Sequence, residues 1–211
     1  MTDLYFVRHG ETENNLKQLM NGGSVDSPLT DKGRQGAIEA GRFLTNVSFT
    51  HAYVSPQARA QTTAALILAQ QSHPQPNLTT IEALREFDMG SWDGLPFTQL
   101  PQHQNYQNYL HRPDLFDPTE TGGESYQALA TRGLAAIQDI VAANPTGRVL
   151  IVSHGVFLRV VLNRLLGVPL AEVRSGRPID NCAVTALRAD NGHFESIYWN
   201  RTDFLTVNKQ F

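Results

Sequence analysis

Two apolar runs, residues 4–8 and 149–153, end alike: Val7-Arg8-His9-Gly10 and Val152-Ser153-His154-Gly155. A continuous apolar run of this length reads as a strand buried on both faces, and such strands belong to parallel sheets covered by helices. The glycine lets the chain turn sharply and lets a ligand approach the backbone. As parallel neighbours, the two runs would bring both imidazoles to one edge of the sheet. In open α/β sheets that carboxyl edge is where ligands bind.

The intervening sequence fits the same plan. Residues 30–46 carry Ala37, Ala40, Gly41 and Leu44 at helical spacing, with Thr30 placed as an N-cap. Residues 51–55 read as a strand, 58–70 as a helix rich in Ala and Leu, and 78–81 as β-prone. Tyr126, Leu129, Ala130, Gly133, Ile137, Ile140 and Val141 form an amphipathic helix that stops at Asn144-Pro145, and 156–166 reads as an apolar helix closed by Gly167. Residues 183–188 and 194–199 read as late strands joined through Asp190-Asn191-Gly192, a hairpin signal. The expected fold is therefore α/β: a single domain over residues 1–211 with a mainly parallel central sheet and helices on both faces. Residues 92–121 depart from the alternation. With Pro96, Pro101, Pro113 and Pro118 plus several aromatics, they read as an inserted lid or side wall.

Composition narrows the function. With 17 Lys+Arg against 20 Asp+Glu the net charge is −3, which argues against a partner held by bulk charge, so no nucleic acid and no membrane surface is expected. Any anion must be held by a few placed cations. The single cysteine, Cys182, excludes an internal disulfide framework and a cysteine-based zinc site. No apolar run approaches the length of a membrane span. Met1-Thr2-Asp3 leads straight into a strand without a basic region or cleavage site, so a soluble cytoplasmic protein is expected.

Arg8-His9-Gly10-Glu11-Thr12, followed by Asn15, resembles the signature of the histidine phosphatase superfamily, the phosphoglycerate mutase-like family. Four further blocks follow in that family's order: Asp26-Ser27-Pro28-Leu29-Thr30 with Gly33; Ser55-Pro56-Gln57-Ala58-Arg59-Ala60-Gln61-Thr62; Leu84-Arg85-Glu86 leading to Gly90 and Trp92-Asp93-Gly94; and Gly122-Gly123-Glu124-Ser125 with Ser153-His154-Gly155. The resemblance runs nearly the whole length. It implies a phosphoglycerate mutase-like fold and a phosphohistidine intermediate on His9, with a small phosphorylated metabolite as the partner and no metal or other cofactor. A homodimer is left open.

The residue types suit that chemistry. Phosphoryl transfer is mostly positioning and charge neutralisation, and arginine's planar fork binds phosphate through two parallel bonds. Arg8 and Arg59 are the expected clamps. Asn15 adds an amide donor, and His154, if protonated, a third cation; Asn21, Gly22 and Gly155 complete the expected substrate contacts. His9 is the expected nucleophile, one ring nitrogen attacking while an acceptor fixes the tautomer through the other. Some branches of the superfamily place an aspartate after the second histidine. Here that position is Gly155, so the proton for the leaving group falls to Glu86, with Asp88 ranked below it. Glu86 would need a raised pKa to serve. Glu124 has two readings: Thr121-Gly122-Gly123-Glu124 as a capping box, or a place near the pocket. Cys182 and Arg188 have the spacing of cysteine-dependent phosphatases, but the residues between them read as strand, so Cys182 is expected to be buried and inert.

Phosphoglycerate mutases follow the acidic motif with an Asn-Lys pair and later two adjacent arginines. Here Pro96-Phe97 stands where the lysine is expected, and the segment from Gly94 to Pro118 holds one cation, Arg112. The wall reads as aromatic: Trp92, Phe97, Tyr106, Tyr109, Phe116. This favours a metal-independent phosphatase acting on an ester with an apolar or sugar-like leaving group. A cofactor-dependent mutase and a non-catalytic phosphate-binding protein on the same fold are the alternatives.

Overall fold

The computed structural model describes residues 1–206. Its centre is a six-stranded sheet of order β3-β2-β4-β1-β5-β6, made of β1 (Thr2–Arg8), β2 (His51–Val54), β3 (Asn77–Thr80), β4 (Gly147–Ser153), β5 (Val184–Asp190) and β6 (His193–Arg201). β3, β2, β4 and β1 run parallel; β5 lies antiparallel to β1 and β6 antiparallel to β5. The sheet is mainly parallel, as the apolar runs require. The late pair is the expected hairpin, turned by Asn191 and Gly192, both at positive φ, the conformation an Asn-Gly pair adopts cheaply.

Helices cover both faces. Along β4, Val149 and Ile151 face one apolar cluster while Leu150 and Val152 face another, the period-two alternation of a strand. The first cluster packs against α5 (Tyr126–Ala143) and α6 (Gly155–Leu165). The second packs against α2 (Asp31–Phe43) and α3 (Ala58–Leu68), through small residues such as Ala37, Ala40, Ala60 and Ala64. Thr30 caps α2, its hydroxyl accepting from Gly33 N at 3.0 Å. A short α1 (Glu13–Leu16), capped by Thr12, was too brief to show in the hydrophobic pattern. Among the described residues, no helix is long and apolar enough to cross a membrane.

The capping-box reading of Thr121 to Glu124 fails. α5 begins one turn later and its N-cap is Ser125, whose hydroxyl accepts from Ala128 N at 3.0 Å. Thr121 instead closes a local turn with Gly123 and Pro118. The proline-rich segment forms a side wall of short 3₁₀ turns around α4 (Gln104–His111). Leu100, Tyr109 and Phe116 are buried against Phe87, Trp92 and Tyr126, so most of its aromatics serve packing.

Candidate active site

The pairing of β1 and β4 places Arg8 opposite Ser153. The next residue on each strand is the histidine, and the two rings stand with centroids 5.2 Å apart. Gly10 makes the turn after His9 possible: a Cβ there would lie 2.4 Å from Gly33 O.

His9 is 2% exposed. Its Nδ1 lies 2.8 Å from Gly10 O. A carbonyl can only accept, so Nδ1 carries the proton and Nε2 keeps its lone pair. Burial, and then the charges of Arg59 and Arg8, push the His9 pKa well below the usual imidazole range. It is held as the neutral tautomer a nucleophile needs.

His154 is the N-cap of α6 and is fully buried. Its Nε2 lies 2.6 Å from Ser55 Oγ. With the Ser55 hydroxyl donating to Nε2, and its oxygen accepting from Gln57 N, the ring proton sits on Nδ1, the tautomer that the proposed reaction uses. Burial first, then Arg59, His9 and Arg8, hold the His154 pKa well below the usual range. The cationic role imagined for His154 is therefore replaced by that of a neutral N–H donor, with its tautomer set by Ser55.

Arg59 also differs from expectation. It is 1% exposed, and its fork is engaged with protein: Nη1 donates to Val25 O and Asp26, Nη2 to Asn21 O and Gly22 O. The two parallel bonds to phosphate are not available from this fork, and only Nε is left without a partner. Arg8 uses Nη1 on Ile179 O at 2.7 Å and likewise keeps a buried, unpartnered Nε. His154 Nδ1 is a third such atom. Buried donors are rarely left unpaired. Of these three residues Arg8 lines the cleft beside His9, while Arg59 and His154 are not among its lining residues. Gly155 belongs to the same arrangement, since a Cβ there would meet Arg8 Nε at 3.0 Å.

Glu86 closes the far side, 6% exposed. Its Oε1 accepts from Phe87 N and Phe157 N, and its Oε2 from Val156 N at 3.0 Å. The last two donors belong to the first turn of α6, where orphan N–H groups seek an acceptor. Oε2 thus keeps the freer lone pair of the two. The competing acid, Asp88, is turned away: its Oδ1 accepts from Gly90 N and it lies outside the cleft.

Arg8, His9, Glu86 and Gly155 line a cleft of about 220 Å³ together with Asn15 and Asn21. Asn15 Oδ1 accepts from Thr12 N, and Asn21 Nδ2 donates to Thr12 Oγ1. Leu19, Met20, Phe97 and Tyr109 form the apolar wall. Gly22, expected among the substrate contacts, is buried behind this layer with its carbonyl turned to Arg59 and Gln57. The loop over residues 21–24 is tied down at Ser24, whose N–H and hydroxyl both donate to Asp93. Cys182 is 2% exposed and sits just before β5, its thiol pKa pushed up to about 12 by burial, which leaves it protonated.

Three supporting residues have roles that the sequence does not reveal, two of them, Ser55 and Gln57, inside the block that resembles the family's second arginine motif. Gln57 joins the acid to the loop over Arg59, its Oε1 accepting from Glu86 N while Nε2 donates to Gly22 O and Val25 O. Ser55 sets the His154 tautomer. Arg132 donates to Ala83 O, Arg85 O and Glu86 O, and pairs with Glu124, whose Oε1 also accepts from Asp88 N. Glu124 and Arg132 therefore brace the 83–88 segment from behind rather than touching the cleft. The signal was present in Ser55-Pro56-Gln57 and in the eight-residue spacing of Glu124 and Arg132, but neither says what the side chains meet.

The family model described as histidine phosphatase superfamily (branch 1) matches residues 4–202. A probable phosphoglycerate mutase, GpmB, of Salmonella choleraesuis is 32% identical over 199 residues, 94% of this chain and 90% of that one. Among solved structures, Bacillus stearothermophilus YhfR is 31% identical with a TM-score of 0.90, covering 97% of this chain and 100% of its own. Phosphoserine phosphatase from Entamoeba histolytica, in complex with 3-phosphoglyceric acid, is 28% identical with a TM-score of 0.85, covering 97% and 100%.

Proposed function

This chain belongs to the histidine phosphatase superfamily, and on that premise we propose that it hydrolyses small phosphate monoesters through a phosphohistidine on His9, without a metal ion. The observation that carries the reading is the neutral His9, its Nδ1 tied to Gly10 O, 5.2 Å ring to ring from His154 and within the charge field of Arg59 and Arg8, each of which keeps a buried nitrogen without a protein partner.

In the first step His9 Nε2 attacks phosphorus as the ester oxygen departs. Arg8 Nε, Arg59 Nε and His154 Nδ1 receive the non-bridging oxygens, whose charge is drawn from water into a site already built for it. Glu86 passes a proton to the departing oxygen through Oε2, the oxygen with a single N–H bond. Because three N–H donors favour the carboxylate form, that proton is the one carried in by the phosphate monoanion. In the second step Glu86 takes a proton from water, the water oxygen attacks phosphorus, and the P–N bond to His9 breaks to release inorganic phosphate. Phosphatases among the structural relatives, such as the Entamoeba enzyme, support hydrolysis. So does the side wall: its one cation between Gly94 and Pro118, Arg112, is paired with Asp114 and lies outside the cleft.

The test is phosphate release from an aryl phosphate in EDTA, with a parallel assay of 3-phosphoglycerate isomerisation. Release that persists in chelator, with isomerisation negligible beside it, is the expected result. Strict dependence on an added divalent ion overturns the metal-free reading, and isomerisation without net release makes the chain a mutase.

A further inference from the structure

The cleft has a second cationic end that the motifs do not include. Arg159 on α6 and Arg174 in the loop before β5 both line it, together with Tyr109, Pro178 and Ile179. Arg159 is 6% exposed. Its Nη2 donates to Arg174 O and to Gly176 O, and its Nε is buried without a partner. Arg174 lays its guanidinium over the Tyr109 ring, 4.4 Å from the centroid, and its Nε is likewise buried and unpartnered. Among the described residues, neither arginine has a carboxylate within ion-pair distance.

Two guanidinium groups side by side in a half-dry wall repel each other. Burial and then Arg174 push the Arg159 pKa down to about 10, so it still carries its charge at neutral pH. Arg174 itself is shifted the other way, upward: against the effect of its burial stand Tyr109, Tyr126 and the charge of Glu86 on the same cleft. Two buried guanidinium groups that share one distant carboxylate form an arrangement that an arriving anion offsets. The loop is also tied to the first site: Arg8 Nη1 donates to Ile179 O, and Pro178 and Ile179 line the cleft. One end of the 174–179 loop is held by Arg159, the other by Arg8.

We propose that Arg159 and Arg174 form a second anion subsite that selects phosphate esters whose leaving group carries a carboxylate, with Tyr109 and Phe97 against its carbon chain. This rests on the phosphatase reading and narrows it. It also replaces the neutral, sugar-like leaving group inferred from the cation-poor side wall, because the cations come from α6 and the following loop. The small volume of the cleft suits a leaving group of few carbons.

The discriminating pair is 3-phosphoglycerate and glycerol 3-phosphate, which differ at the far carbon by a carboxylate against a hydroxymethyl group. The wild-type protein is expected to favour the carboxylate in kcat/KM by roughly 10- to 100-fold, the size of one charged hydrogen-bonded contact. Arg174→Gln should collapse that ratio toward one, and Arg174→Lys should restore part of it. The same preference should appear in calorimetric binding to the His9→Ala protein, which cannot turn over. Equal binding and equal kcat/KM for the two esters overturns the subsite while leaving hydrolysis standing. Selective binding without phosphate release from any ester keeps the subsite and removes the phosphatase.

Discussion

His9 and His154 stand with ring centroids 5.2 Å apart because the residues before them, Arg8 and Ser153, are register partners in β1 and β4. His9 N completes the pairing by donating to Ser153 O at 2.9 Å. The backbone ladder therefore sets this distance, and a one-residue slip would send one ring to the opposite face. Neither side chain holds the other in place.

It follows that His9 can be removed without losing the fold. His9→Ala is expected to lower phosphate release by on the order of 10⁶-fold, as when a covalent nucleophile is deleted, with near-native circular dichroism. Rapid-quench labelling should show an acid-labile phosphoryl adduct in the wild type and none in the variant. Substantial turnover by the variant would remove His9 from its role.

Glu86→Gln keeps an oxygen for the N–H groups of Phe87 and Phe157 but cannot move a proton. The loss should be about 10²–10⁴-fold for alkyl phosphates, the usual worth of a placed acid. It should be much smaller in the first step for p-nitrophenyl phosphate, whose leaving group departs without help. An equal loss on both esters in single-turnover release of the alcohol would assign the acid elsewhere.

The buried imidazoles also make stability depend on pH. His9 and His154 have folded pKa values well below 6.5. Below that pH the unfolded chain binds protons that the native protein does not, so stability is lost as the pH falls from about 6.5 toward the folded values, by up to about 1.4 kcal/mol per pH unit for each ring. Urea unfolding at pH 7 and pH 5 should show this loss, and His9→Ala should show a shallower one. Identical slopes in the two proteins would count against a neutral His9. By the same sign, the acid limb of kcat/KM should lie below pH 6.5.

Gly10→Ala tests the turn. A Cβ 2.4 Å from Gly33 O forces the two backbones apart, with an expected cost of roughly 1–3 kcal/mol for overpacking. The midpoint of chemical denaturation reads it directly. An unchanged midpoint would show that the turn relaxes freely.

The sheet and the strand-end histidines were legible from residue order alone. Two apolar runs closed by His-Gly, separated by helices, admit few arrangements other than parallel neighbours with both rings at one edge. The Asn191-Gly192 turn was legible for a similar local reason, since positive φ at both positions is cheap for that pair. Tertiary structure decided what each polar group faces. Arg59 was recognisable as part of the motif, yet the loss of its fork to the 21–26 loop depends on contacts more than thirty residues away. His154 is neutral because burial and two guanidinium groups outweigh any local preference. Arg159 and Arg174 share no spacing with the motifs, and they meet at the cleft because α6 and the loop after it fold back over Tyr109. Periodicity and turn chemistry act over a few residues, which a sequence displays in order. Hydrogen-bond partners and burial are set by packing between distant segments, which it does not.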